Sequence, residues 1–517
     1  MKLVTGEQMR RLDQQAADAG TPTSVLMENA GLAVAQDVWM ALGTLEERRI
    51  VVLVGPGNNG GDGLVAARHL HEWGAQVEAY LLAPRTDEDS NYRQLVERGM
   101  PLRCVEEDAG FGALEEALGS AHAVVDALLG TGRPRPIEGA VAEILDRVAR
   151  ARERSSPPLV IAVDLPTGVN CDTGAVDPHT VRADLTVTFG HSKVGLHTLP
   201  GAEYAGRVST VDIGLPAEAS AELPYELLSA RWVRERLPAR PLGANKGTFG
   251  RVLVVAGSRN YVGAVRLAAT GALRAGAGLV TVACPESVQA LVAGGLTEAT
   301  YLPLPEEDGA IAASAGNTVL RALCDYEVLL IGCGLGQSAG TRALVRAVLF
   351  ALEENGPKVL VDADGLNNLA KAPYWWRELK ASAVLTPHPG EMSRLSGLSI
   401  AEIQGDRLGA AVRFAGEWGQ TVVLKGAHTV IAAPGGRARV SPYANPALAS
   451  AGTGDVLAGA IAGLLAQGLG PFEGACCGVY LHAAAAEALR EEMGQAGLVA
   501  GDLLPELPRA MRGLTSG

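Results

Sequence analysis

Arg49-Ile50-Val51-Val52-Leu53-Val54-Gly55-Pro56-Gly57-Asn58-Asn59-Gly60-Gly61-Asp62-Gly63 is the stretch that decides the fold. Ile50, Val51, Val52, Leu53 and Val54 make a continuous apolar, mostly β-branched run, the pattern of a strand covered on both faces of a parallel sheet. A glycine-rich turn follows, and then a helical pattern through Leu64, Ala67 and Leu70. Strand, tight turn and helix form the unit from which doubly wound α/β sheets are built. Gly55, Gly57 and Gly60 fit a GxGxxG fingerprint, with Glu78 expected at the end of the next strand. Asp62 argues against a pyrophosphate there, because a carboxylate at a helix start repels one. Two amides and an acid suit a neutral polar ligand or a cation instead.

The unit recurs on both sides. Upstream, residues 9–42 have helical spacing and include Glu28 and Asn29, which are either exposed polar groups or the edge of a site. Downstream, Ala123-Val124-Val125-Asp126-Ala127-Leu128-Leu129 runs into Gly130-Thr131-Gly132-Arg133-Pro134-Arg135-Pro136. Leu159-Val160-Ile161-Ala162-Val163 is followed by Asp164-Leu165-Pro166-Thr167-Gly168. Ligands bind beyond the carboxyl ends of strands in open α/β sheets. Asn58, Asn59, Asp126, Asp164 and Thr167 all lie at such ends, and each alone is as well explained by a turn or cap. Together, oxygens of Asn59, Asp126 and Thr167 can converge on one hard cation of low charge. His69, His71 and His122 lack partners at metal-ligand spacing and read as surface or helix residues. The alternation fades near Ile213, and the polar, small-residue stretch 217–224 reads as a linker, giving domains 1–218 and 225–517.

The second half repeats the scheme. Apolar runs at 251–256, 279–283 and 328–331, and the stretches 358–364, 383–391 and 421–429, each lead into Gly, Asp, His or Lys, so a second, mostly parallel sheet is expected. Val262-Gly263-Ala264-Val265 opens a helix, and Gly332-Cys333-Gly334-Leu335-Gly336 is a glycine turn. His388 is held between Pro387 and Pro389, two rigid φ angles that orient one imidazole. Lys425 at a strand end, beside Gly426, can neutralise phosphate, and Thr429 can hydrogen-bond it. In Ala451-Gly452-Thr453-Gly454-Asp455 a small-residue loop enters an Ala-rich helix. Free amides at a helix start attract anions, so Asp455 reads as a carboxylate beside a phosphate site and suits a general base.

Composition limits the alternatives. The 517 residues exceed one ordinary core, and 48% hydrophobic content supports large ones. Aromatics at 4% and 64 glycines favour sheets packed closely on small-residue helices. The net charge of -13 and the lack of Lys/Arg runs speak against nucleic acid or an anionic membrane surface as partner. Seven cysteines without a CxxC pair make a disulfide frame or zinc site improbable, and Cys476 and Cys477 read as core. With no apolar leader and no run long enough for a bilayer, a soluble cytoplasmic protein is expected.

These motifs carry a resemblance. Asn58-Asn59-Gly60-Gly61-Asp62-Gly63, with Asp126, Gly130-Thr131-Gly132 and Asp164-Leu165-Pro166-Thr167-Gly168, resembles the YjeF N-terminal domain, an NAD(P)HX epimerase. Thr386-Pro387-His388-Pro389-Gly390-Glu391, Lys425-Gly426-Ala427-His428-Thr429 and Ala451-Gly452-Thr453-Gly454-Asp455 are similar to the ribokinase-like NAD(P)HX dehydratase. The resemblance covers nearly the whole chain. It implies an N-terminal Rossmann-like three-layer sandwich, a C-terminal ribokinase-like α/β domain, and repair of hydrated NADH and NADPH. By it, Asn58, Asn59, Gly60, Gly61, Asp62, Gly130, Thr131, Gly132, Arg133, Pro134, Arg135, Pro136 and Asp164 contact the hydrated nucleotide in the first domain, while Asn59, Asp126 and Thr167 hold K+. In the second, Ala264, Gly334, His388 and Asp455 contact the substrate, and Lys425, Gly426, Ala427, His428, Thr429 and Gly454 hold ADP, or ATP, with Mg2+. Asp164 and Asp455 are the implied catalytic residues, and a homo-oligomer is expected. Two departures are visible: Thr167 stands where the family often has Ser, and Cys333 where it often has Pro. Competing readings are a kinase of a small hydroxylated metabolite and a non-catalytic nucleotide sensor.

Overall fold

In the first sheet alternate residues of one strand serve opposite layers. Ile50, Val52 and Val54 pack with Ala30, Val34, Leu64 and Leu70 on one face, and Val51 and Leu53 with Leu114, Ile144 and Val148 on the other. The period-2 geometry of a strand makes both faces apolar and demands a helix layer on each. The computed structural model describes residues 1–132 and 136–515. The chain divides into two units, Met1–Leu223 and Pro224–Gly517.

The first unit holds a seven-stranded sheet in the order Leu102–Cys104, Gln76–Leu81, Arg49–Val54, Ala123–Ala127, Leu159–Val163, Leu185–Phe189, Arg207–Val211. Every pairing in it is parallel, and Leu53 sets Asp126 in register beside it. A further parallel pair joins Lys2–Val4 to Ser192–Lys193. The helix Asn58–Glu72 lies against Thr23–Leu42 so closely that a Cβ on Gly31 would come within 2.4 Å of Val65 Cβ.

The main sheet of the second unit runs in the order Thr300–Leu304, Leu279–Pro285, Arg251–Val255, Val328–Ile331, Lys358–Val361, Ala383–Leu385, Thr421–Leu424, Val430–Ala432, Ala438–Val440, Tyr225–Leu227. The pairings are parallel from Thr300–Leu304 to Thr421–Leu424, then antiparallel through Val430–Ala432 to Ala438–Val440. The helix Thr453–Ala466 is buried along nearly its whole length. A Cβ on its Gly459 would lie 2.0 Å from Ala268 O, and one on Gly463 2.5 Å from Ala272 O, so the helix Val262–Arg274 touches it backbone to backbone. This contact explains the glycine- and alanine-rich, aromatic-poor composition. Cys476 and Cys477 are core residues of the helix Pro471–Met493.

Three expectations are corrected. The helical pattern of 9–42 is two helices, Gly6–Asp18 and Thr23–Leu42, broken where Gly20 adopts φ +90° and Pro22 follows. The stretch read as a linker contains a short helix, Ala217–Ala221. Glu78 is the third residue of its strand rather than the last, and its carboxylate is taken by Arg103 Nε at 3.1 Å.

Candidate functional site

The first site forms beyond the carboxyl ends of Ala123–Ala127 and Leu159–Val163. Asp164, one residue past its strand, is buried and adopts φ +67°, a conformation uncommon outside glycine and frequent where side chains are held for function. Its Oδ1 accepts from Thr188 Oγ1 at 3.0 Å, from Phe189 N at 3.3 Å, and from Lys193 Nζ. Lys193 is wholly buried and also donates to Thr188 Oγ1 (3.1 Å) and Phe189 O (3.0 Å). Asp62, in the first turns of the helix Asn58–Glu72, is buried as well; burial first, then Asp164 and Asp13, push its carboxyl well above the usual range, against the pull of Lys193. Asp13 is itself shifted upward by burial. The site thus combines a carboxylate crowded with donors and a carboxyl whose surroundings favour its protonated form, the division of labour an acid–base pair needs.

Asp126 and Thr167 meet next to it. Asp126 accepts from Thr167 Oγ1 (2.7 Å), Thr167 N (2.8 Å) and Leu128 N (3.3 Å). Burial raises its pKa, and among the described residues no lysine or arginine pairs with it. The Asn59 side chain abuts the neighbouring turn, where a Cβ on Gly130 would lie 3.0 Å from Asn59 Oδ1, and its Nδ2 is buried without a partner. A buried carboxylate with no counter-charge, beside a hydroxyl and an amide oxygen, fits a monovalent cation.

The glycine turn is tight. A Cβ on Gly60 would lie 1.9 Å from Gly55 O, and Arg85 Nη2 braces that same oxygen at 2.6 Å. Asn58 is exposed at the helix start, Gly61 packs on Met27, Thr131 is half-buried, and Gly132 and Pro136 are exposed. Arg133, Pro134 and Arg135 fall outside the described residues. Glu28 is bound to Arg68 (2.6 Å) and His69 (2.8 Å), and Asn29 donates to Ile213 O (2.9 Å), so both serve helix packing.

The second site surrounds the start of the helix Thr453–Ala466, which Gly452 opens at φ +88°. Asp455 in its first turn shares a cluster with Cys333 and Asp362, one ligand atom of each lying within 4.8 Å of the others. Cys333 Sγ is 3.8 Å from Asp362 Oδ2. Lys425 Nζ holds Asp362 Oδ1 at 2.7 Å and approaches Glu391 Oε2 at 3.7 Å. Burial opposes the Lys425 charge, but Asp362 and Glu391 outweigh it and hold its pKa above the ordinary lysine value. Burial first, then Asp362, pushes Asp455 up to about 7, while a Cys333 hydrogen bond and Lys425 pull it back. Glu391 also rises to about 7, chiefly by burial. A carboxyl near neutrality is suited to taking a proton from a hydroxyl.

The other expected residues lie around this cluster. A Cβ on Gly454 would sit 3.6 Å from Lys425 Nζ. Gly334, at φ +62°, packs on Ala264, and its carbonyl accepts from Ser258 Oγ at 2.8 Å. His388 caps the helix Pro389–Ser396: its Nδ1 accepts from Gly390 N at 3.0 Å, leaving the ring exposed with Nε2 3.4 Å from Glu391 Oε1. Residues 425–429 form the turn between Thr421–Leu424 and Val430–Ala432. Thr429 Oγ1 donates to Gly426 O (2.8 Å), and the His428 ring meets Ser441 O (3.1 Å) at a backbone φ of +50°. Ala427 lies between them, half-buried.

Lys193, Asp13 and Thr188 were not singled out by sequence. The usable signal for Lys193 was a Gly-His-Ser-Lys step directly after an alternating strand. Asp362 and Glu391 were visible as acids at a strand end and beside His388, but without roles.

Two α/β units, each with buried carboxylates beyond the carboxyl ends of its parallel strands, define a two-domain enzyme. Residues 252–509 match the family described as NAD(P)H-hydrate dehydratase, and 23–195 match the YjeF-related protein N-terminus. A "Bifunctional NAD(P)H-hydrate repair enzyme Nnr" from Moorella thermoacetica is 42% identical over 99% of this chain and 97% of its own length. The protein of that name from Escherichia coli is 35% identical over 97% of this chain and 92% of its own. Among solved structures, a ribokinase-like superfamily protein from Enterococcus faecalis superposes with a TM-score of 0.50 at 27% identity, covering 57% of this chain and 98% of that one. An ADP/ATP-dependent NAD(P)H-hydrate dehydratase from Bacillus subtilis, co-crystallised with ATP/Mg2+, has a TM-score of 0.49 at 35% identity over 56% of this chain and 98% of its own. The chain belongs to the bifunctional NAD(P)H-hydrate repair enzymes. No helix among the described residues is long and apolar enough to cross a membrane.

Proposed function

We propose that residues 1–218 interconvert the two epimers of hydrated NADH and NADPH, and that residues 225–517 dehydrate the S epimer at the expense of ADP or ATP. The observation that carries the reading is Asp455: a half-buried carboxyl in the first turn of a glycine-opened helix, clustered with Asp362 and Cys333 near Lys425 and pushed up to about 7 by burial. In the second unit Asp455 takes the proton of the C6 hydroxyl as a phosphoryl group arrives, and the amides of Gly452, Thr453 and Gly454 stabilise the transferring group. The phosphorylated oxygen then leaves as phosphate with loss of a ring proton, which restores the reduced nicotinamide. Lys425 orients Asp362, and Ala264, Gly334 and His388 line the substrate side. Gly426, Ala427, His428, Thr429 and Gly454 would cradle the nucleotide, and Mg2+ bound with it would neutralise phosphate charge.

In the first unit the epimers differ at one carbon that bears both a hydroxyl and the ring nitrogen. Asp164 takes the hydroxyl proton as the bond from that carbon to the ring nitrogen opens to a carbonyl, Asp62 supplies a proton to the released nitrogen, and reclosure on the other face returns both protons and inverts the carbon. Asn58, residues 130–136 and the Gly60–Gly61 amides bind the nucleotide. Asn59, Asp126 and Thr167 would hold K+, which supplies the missing counter-charge beside the site. A cytoplasmic homo-oligomer completes the reading. The kinase alternative is disfavoured, because both halves of the chain match the repair family along their length.

The test is to incubate the protein with mixed epimers of hydrated NADH plus ADP or ATP and follow recovery of the reduced-nicotinamide absorbance. Complete conversion is expected. Asp164→Asn should stop at the S fraction, and Asp455→Asn should give no nucleotide-dependent recovery. Near-normal rates in either variant remove that residue from its role.

A further inference from the structure

Cys333 is wholly buried in the turn after the strand Val328–Ile331, between Gly332 at φ +130° and Gly334 at φ +62°. Its sulfur and one oxygen each of Asp362 and Asp455 lie within 4.8 Å of one another. Asp362 Oδ1 is already filled by Lys425 Nζ (2.7 Å) and Thr386 Oγ1 (2.6 Å), leaving Oδ2 toward the thiol at 3.8 Å. The thiol donates to that Oδ2, and the Asp455 carboxylate, within the same 4.8 Å, lies close enough for the S–H to turn to it. Two carboxylates on separate elements therefore face one small donor, and a thiol has a single proton to give.

We infer that Cys333 is a positioning residue for the dehydration step, its S–H donating to Asp455 and holding that carboxylate as an acceptor turned toward the substrate hydroxyl. The inference rests on the reading of Asp455 as the base. Burial, with Asp455 and Asp362 adding, keeps the thiol well above its ordinary value, so it remains a donor throughout the working range. The charged and titratable groups around the pair are Asp362 and Asp364 after the strand Lys358–Val361, Lys425 after Thr421–Leu424, Glu391 on the helix Pro389–Ser396, and His482, whose Nε2 meets Thr453 O at 2.9 Å.

The experiment is the pH profile of kcat and KM for nucleotide-dependent dehydration of hydrated NADH in the wild type, Cys333→Ala and Cys333→Ser. Losing a donor to the ionised carboxylate favours the protonated form. The acid limb should move up by about half to one pH unit in Cys333→Ala, with kcat lower by about two- to fivefold on the plateau and KM nearly unchanged. Cys333→Ser, which restores an O–H donor, should return the limb to the wild-type position. An unmoved limb in a folded alanine variant, or a serine variant that behaves like alanine, overturns the inference. Should the alanine variant not fold, the S–H stretch isolated by subtracting the Cys333→Ser infrared spectrum serves instead. It is expected at a hydrogen-bonded frequency that rises in Asp455→Ala, and a frequency indifferent to that change overturns the inference. Near-normal turnover by Asp455→Asn defeats the underlying reading, whereas an inactive Asp455→Asn with an unmoved Cys333→Ala limb defeats only the role of Cys333.

Discussion

Replacing Lys193 by methionine removes an ammonium that faces Asp164 and Asp62 in the first unit while leaving the stem volume nearly intact. Lys193 is wholly buried and makes bonds to Asp164, Thr188 Oγ1 and Phe189 O. Breaking a buried pair from one side costs about 3–5 kcal/mol, because the surviving charge has lost its partner. The lower end, about 3 kcal/mol, is expected here, since Thr188 and Phe189 N still donate to Asp164. For a unit of this size each kcal/mol moves Tm by about 2–4 °C, so the variant should melt about 6–12 °C lower at pH 7.5. The double variant Lys193→Met, Asp164→Asn removes both charges and should recover about 2 kcal/mol of the loss. Scanning calorimetry of the full chain measures the transition, and hydrogen exchange in peptides spanning 185–197 assigns it. A loss under about 1 kcal/mol, or a double variant no more stable than the single one, refutes the argument.

Two further outcomes are expected. The unfolded chain ionises Asp455 from about pH 4 upward, whereas the fold keeps it protonated until about 7. Its contribution is therefore complete at low pH and declines as pH climbs through that window, so Asp455→Asn should stabilise the second unit by about 1–2 kcal/mol at pH 8 and not at pH 4 in urea melts. Thr167→Ala removes a hydroxyl that bonds Asp126 at 2.7 Å. The wild type should gain about 1 kcal/mol from K+ over tetramethylammonium at about five times Kd, and the variant should gain none; equal responses in both proteins count against the cation site.

The parallel strands were legible because a strand buried on both faces must be a continuous apolar run, as Ile50 to Val54 and Val328 to Ile331 are. Leu185–Phe189 was not, because Thr186 and Thr188 interrupt the run. Both hydroxyls are spent internally, on Ala205 O at 2.7 Å and on Asp164. The break between the first two helices hid behind apolar spacing that continues on either side of it. Asp164 and Asp455 were readable as acids at a strand end and a helix start. What surrounds them was not, because Lys193 lies 29 residues from Asp164 in sequence and Cys333 lies 29 from Asp362, and only the sheet order brings each pair together.

The bare backbone contact of Gly459 and Gly463 with Ala268 and Ala272 has a dynamic corollary. No flexible side chains cushion it, so the helix that bears Asp455 has neither room to roll nor a lubricated surface along which to slide. A carboxylate mounted on such a shaft keeps one address throughout turnover, and any closing movement has to be made by the ligand and the loops that meet it.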